Sequence, residues 1–99
     1  MARLDLYRNR EGRGYLLDVQ ADILRTLDSR IVIPVLPVDA APPRAGRLNP
    51  LITIEGEDHS AVTQHMAAVP IALFGEIAGS LAARDIEITA AIDLLIWGL

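Results

Sequence analysis

Apolar residues recur along this chain with two different periods. Up to about Ser80 they come in short, partly alternating runs; from there they take helical spacing and keep it to Leu99. Leu4, Leu6 and Tyr7 predict an opening strand. Residues 8–14, polar with two glycines, predict a hairpin connection, and residues 15–19 the returning strand. Residues 20–29 keep neither period and read as an irregular excursion. Residues 30–37 are β-branched and apolar, so they predict a strand, but Pro34 and Pro37 lack ladder donors and belong at a bulge, an edge or a strand end. Residues 39–49, with Pro42, Pro43 and Gly46, predict an exposed loop. A strand over 51–54 and a tight turn over 55–58 follow. Residues 61–66 and 69–74 predict two further strands, with Ala67 and Ala68 as the bend between them.

The terminal helix carries the strongest signal. At about 100° per residue, Ile88, Ala91, Ile92, Leu95 and Leu99 share one face, which must pack on a sheet. Trp97 falls on the opposite side, in line with Thr89 and Asp93. It is the one tryptophan of the chain. Its roughly 150–250 Å² of buriable surface corresponds to about 4–6 kcal/mol that stays unused while the ring is wet. Another protein is the expected cover.

These elements predict a mainly β fold with one C-terminal α-helix, a small antiparallel sheet or partial barrel, in a single domain over residues 1–99. The 99 residues, 52% of them hydrophobic, suit one modest core and argue against disorder. Cysteine is absent, which excludes disulfides, thiolate catalysis and cysteine-bound metal. Charges interrupt the N-terminus where a secretory signal needs an apolar core, and no apolar run approaches the roughly 18–20 residues that span a bilayer. A soluble, cytoplasmic protein is expected. All nine basic residues are arginine, which excludes Schiff-base chemistry and the lysine of phosphate-binding loops. Eight of the nine precede residue 48, alongside six acids, whereas from Leu48 onward Arg84 faces seven acids. A net charge of −4 argues against phosphate-driven nucleic-acid binding, although a local arginine cluster is compatible with it.

Candidate chemistry is sparse. His59 and His65 stand near Glu55, Glu57 and Asp58, but a metal site needs convergent ligands, and a turn and a strand are poor carriers; solvated polar residues are expected, and no metal or cofactor. Asp18, Asp22 and Asp28 are better read as caps and turn residues than as an acid–base pair. No serine lies in a nucleophile-elbow pattern. Arg44 and Arg47 read as part of a solvated loop. Ile23 and Leu24, two large apolar residues in a polar stretch, either anchor the loop to the core or form an exposed contact patch. Asp93 opposes the helix dipole near its negative end, so it is either solvated or held there for a contact. Gly98 suits a helix C-cap.

Four segments, Asp-Val-Gln-Ala-Asp-Ile-Leu at 18–24, Arg-Ile-Val-Ile-Pro at 30–34, Met-Ala-Ala-Val-Pro at 66–70 and Ala-Ile-Asp-Leu-Leu-Ile-Trp-Gly-Leu at 91–99, resemble in this order the CcdB-type toxins of plasmid-addiction systems. The resemblance runs the length of the chain. It implies an SH3-like partial barrel, an antiparallel sheet plus a small accessory sheet, assembled as a homodimer. It implies a protein without a catalytic centre that binds the A subunit of DNA gyrase and traps the complex with cleaved DNA. A CcdA-type antitoxin would neutralise it with a disordered segment and repress the shared operon, so that DNA is met only through the antitoxin or gyrase. Carried onto matching positions, the gyrase-binding residues are Ile23, Leu24, Asp93, Ile96, Trp97, Gly98 and Leu99. Asp93 stands where the family can carry asparagine, and Ile96 where an aromatic residue can precede the tryptophan. The Pro-rich loop over 39–47 also diverges.

Two competing readings remain open. The barrel is also similar to that of the MazF-type toxins, which cleave RNA; Arg13, Arg25, Arg44 and Arg47 would then contact phosphate and supply a general acid. A degenerate, non-toxic homologue would be a binding module only, with Trp97 filling a dimer seam.

Overall fold

The computed structural model describes residues 1–98, so Leu99 lies outside the described residues. Seven strands and one helix follow in chain order: β1 Asp5–Asn9, β2 Tyr15–Asp18, β3 Ser29–Pro37, β4 Leu51–Ile54, β5 Glu57–Ala61, β6 Ala67–Pro70, β7 Phe74–Ser80 and α1 Asp85–Trp97. All ladders are antiparallel. Along the sheet the order is β4-β5-β3-β2-β1-β7, with β6 paired to β3 beside this path. The protein is mainly β, a curled half-barrel with a C-terminal helix.

β3 explains both the curl and the placing of its prolines. Its first half, from Ser29 to Val32, pairs with β6, and its end, from Val35 to Pro37, pairs with β5. Pro34 sits where the partner changes, so its missing N–H falls in a gap of the ladder, and its carbonyl accepts Val62 N–H at 2.8 Å. β2 is buried on both faces. Tyr15 and Leu17 join Leu4, Leu6, Ile33, Val35, Ile52, Ala61 and Ile88 in the main core, while Leu16 joins Tyr7, Val32 and Phe74 on the other face. The Tyr7 and Phe74 rings meet edge-on, with centroids 5.0 Å apart.

Several expectations are corrected. The turn expected over residues 55–58 is two residues long, Glu55 and Gly56, both at positive φ as a type I′ hairpin demands. The strand expected over 61–66 is absent: β5 ends at Ala61 and Thr63–His65 form a 3-10 turn. Ala67 and Ala68 open β6 rather than bending the chain, and Ile71–Leu73 form another 3-10 turn. β7 then occupies residues expected to lie between strand and helix. Its sequence, Phe-Gly-Glu-Ile-Ala-Gly-Ser, has no apolar alternation because only Phe74 is buried; pairing with β1, with two register shifts, holds it. The helix begins at Asp85, after a 3-10 turn at Ala82–Arg84, rather than at Ser80.

Three polar residues expected in turns, in an exposed loop or in solvent are inside. Asp18 is fully buried and ion-paired to an equally buried Arg30. His59 is buried on β5, edge-on to Tyr15 at 5.4 Å, and its Nδ1–H donates to the Glu57 carbonyl at 2.9 Å. Asn49, at the end of the expected loop, is buried too; its amide nitrogen donates to Ala61 O (3.1 Å) and Gln64 Oε1 (2.7 Å) while its Oδ1 accepts Ala45 N–H. A strand partner or a turn covers each of them. Local hydrophobicity carries no trace of that.

Candidate functional site

The helix end is built from its sequence in a simple way. Asp85 and Glu87 occupy the first turn, where carboxylates complement the helix dipole, and no side chain caps the start. Ile88 and Ala91 are buried and Ile92 packs against the core. Beyond Ile92 the stripe runs out of sheet: Leu95, expected in the core, is partly exposed, and Ile96 and Trp97 are more so. Gly98 stops the helix at φ 75°, its N–H donating to Leu94 O at 3.0 Å. That left-handed residue is inexpensive only for glycine. Trp97 is 72% exposed. Its ring is uncovered at the tip of the chain.

Asp93 is exposed on the same side and borders a shallow recess with Asp85, Ile86, Thr89 and Ala90. Ile86 was missed by sequence reasoning, although it is 88% exposed. Continuing the helical period backwards from Trp97 through Asp93 and Ala90 reaches it, so the signal was present.

The loop that carries Ile23 and Leu24 projects from the sheet. Asp22–Leu24 form a 3-10 turn, and every residue from 21 to 28 is exposed. Ile23 is 84% exposed, and Leu24 also faces solvent, so neither anchors the loop to the core. Hydrogen bonds hold the loop instead. Gln20, buried, accepts Ile31 N–H with its Oε1 (3.2 Å) and donates from Nε2 to Leu24 O (3.0 Å); its own N–H donates to Asp18 Oδ1 (3.1 Å). Asp22 Oδ1 accepts Arg3 N–H at 2.7 Å. The Arg3 guanidinium in turn reaches α1, donating to Asp85 Oδ1 (2.8 Å) and Thr89 Oγ1 (3.1 Å), while Thr89 Oγ1–H donates to Asp85 Oδ1 (2.9 Å). The hydrogen bond from Arg3, and then that from Thr89, hold the Asp85 carboxyl below the ordinary aspartate range. Loop and helix face are thus linked through one residue. Thr89 lies two turns, about 12 Å, before Trp97 on the helix.

The arginines of the competing reading are not brought to one place. Arg13 pairs with Asp39 at 3.3 Å, and Arg25 donates to the Asp22 carbonyl at 3.4 Å. Arg44 and Arg47 do share a groove of about 700 Å³ with Arg84, lined as well by Pro50, Ile86, Ala90 and the acidic Glu87. Two bonds to Asn49 O hold the Arg44 guanidinium, and Arg84 is engaged by Glu87. His65 is exposed while His59 is buried, and no three metal-ligating side chains converge among the described residues.

Residues 3–98 match the family profile described as CcdB protein. Among solved structures, the chain is similar to the Mycobacterium tuberculosis toxin MazF-mt6, with a TM-score of 0.77 at 13% identity over 92% of this chain and 94% of that one. It is also similar to an endoribonuclease in complex with its cognate antitoxin from a mycobacterial species, with a TM-score of 0.75 at 15% identity over 100% of this chain and 96% of that one. At such identities the likeness speaks for the fold, a toxin-type half-barrel.

Proposed function

Because the chain belongs to the CcdB protein family, and is thereby a toxin of the toxin–antitoxin kind, we propose that it acts by binding rather than by chemistry. In this reading it works in the cytoplasm as a homodimer of single-domain subunits. It docks on the A subunit of DNA gyrase and traps that enzyme on cleaved DNA. The observation that carries the reading is the uncovered indole of Trp97 beside a left-handed glycine. Tryptophan, with tyrosine and arginine, is enriched among the anchors that carry binding energy in complexes. Its face suits an arginine side chain of the partner by cation–π attraction. Gly98 lets the partner backbone approach, and Ile96, Ile23 and Leu24 exclude water around the contact. Asp93 offers an acceptor, and Leu99 would extend the same surface. A CcdA-type antitoxin with a disordered segment would cover the toxin and bring it to operator DNA, so DNA is met only through partners.

Expression in a bacterium with normal gyrase should arrest growth, and a host altered in the gyrase A subunit should survive. Trp97→Ala should weaken affinity for the purified A subunit at least about thirtyfold, the scale of losing a hot-spot aromatic, with no change in thermal midpoint. Undiminished toxicity of that variant would eliminate the reading. The groove of Arg44, Arg47 and Arg84 favours the second reading, a ribonuclease like the MazF-type toxins. Cleavage of single-stranded RNA by the purified protein, lost on Arg47→Ala, would establish it instead.

A further inference from the structure

We infer that Arg3 and Asp22 form a latch that sets the Ile23–Leu24 loop against α1, so that both are positioning residues of the docking surface. The inference rests on the gyrase reading above and adds to it the device that makes two separate segments into one surface. The loop has no buried side chain from residue 21 to 28. Within it, Leu24 N–H, Arg25 N–H and Leu27 N–H donate to Ala21, Asp22 and Leu24 carbonyls, bonds that shape the loop without fixing it to the body. Its links to the body are Gln20 Nε2 to Leu24 O, Ile71 N–H to Asp28 O, and Arg3 N–H to Asp22 Oδ1. The first two tie it to residues just beyond the ends of β2 and β6. Among the described residues only the third passes to a residue that also holds the helix, because the Arg3 guanidinium is bonded to Asp85 and Thr89.

Thr89 stands on the helix side that carries Asp93 and Trp97. Arg3 therefore spans from Asp22 in the loop to the start of the Trp97-bearing side with one backbone donor and one two-armed side chain. A planar guanidinium held by two acceptors loses its freedom before the partner arrives. Setting the loop in advance removes an ordering cost from binding. The sheet core does not need this link: Arg3, Asp22 and Asp85 are outside both apolar clusters.

The test uses the purified toxin and the purified gyrase A subunit. Asp22→Ala removes the acceptor and should weaken affinity by about tenfold, the upper range for one lost hydrogen bond. Its thermal midpoint should stay that of the parent, and amide exchange should speed up at residues 22–25 alone. Asp22→Asn keeps an acceptor oxygen and should restore affinity; Arg3→Ala should weaken it while leaving loop exchange slow. Trp97→Ala runs alongside as the control for the underlying reading. Wild-type affinity in Asp22→Ala, with binding lost in Trp97→Ala, overturns the latch and spares the gyrase reading. Binding lost equally in Asp22→Asn means the carboxylate touches the partner itself, which also overturns the latch. Wild-type affinity in Trp97→Ala removes both.

Discussion

Arg30 and Asp18 are both fully buried, with Nη2 and Oδ2 2.5 Å apart, and Arg30 Nε and Nη1 find no hydrogen-bond partner among the described residues. A guanidinium in that setting depends on its one carboxylate, since leaving a buried charge unpaired costs about 3–5 kcal/mol. Asp18→Asn keeps an oxygen for Gln20 N–H but removes the charge, so urea unfolding should lose about 3–5 kcal/mol, a large share of the roughly 5–15 kcal/mol that holds a domain together. A loss below about 1 kcal/mol would mean that water reaches Arg30. Because the kept oxygen still accepts Gln20 N–H, the base of the Ile23–Leu24 loop should hold in this variant. This burial was not legible in the sequence. Asp18 lies inside because β2 is flanked by β1 and β3, opposite Val32, and register between distant segments leaves no local mark. The exposure of Trp97 was legible, because the angle between residues 88 and 97 on one helix is a local property of the backbone. Arg3 gave no signal, since its partners are 19, 82 and 86 residues away.

Among the elements, the β1–β2 hairpin shows how close backbone approach fixes a residue type. Gly14 sits at φ +82° and a Cβ there would lie 2.4 Å from the Val35 carbonyl oxygen on the neighbouring strand. Gly14→Ala therefore combines left-handed strain with a clash that backbone alone can relieve, and should cost at least about 2 kcal/mol in equilibrium unfolding. Stability within about 0.5 kcal/mol of the parent would show that β3 yields easily at this point. β1 to β4 and the helix were readable because each couples an apolar period to a glycine, proline or polar boundary. β7 was not, because an edge strand exposed along six of its seven positions, or nearly so, needs no apolar period. The stretch from Val62 to Leu73 was misread for the opposite reason. Two 3-10 turns, Thr63–His65 and Ile71–Leu73, flank the short and largely exposed β6, and neither period applies to such a stretch.

At the scale of the whole molecule, two surfaces of opposite character lie along the helix. One is apolar, formed at the helix end by the exposed Ile96 and Trp97, with the exposed Ile23 and Leu24 of the loop and the charged Asp93 in the same proposed contact set. The other is the groove where Arg44, Arg47 and Arg84 gather in a protein of net charge −4. Salt separates what each would do. Apolar contact and a single charge leave few counterions to release, so affinity for the gyrase A subunit should change by less than about threefold between about 50 and about 200 mM salt. Three phosphates held by the groove arginines would instead lose about twentyfold over that range, since the single-strand slope is about 0.7 of a power of salt per contact. Both titrations can be run on one preparation, with the gyrase subunit and with single-stranded RNA. A steep slope with gyrase would place the groove, rather than the tryptophan tip, at the contact.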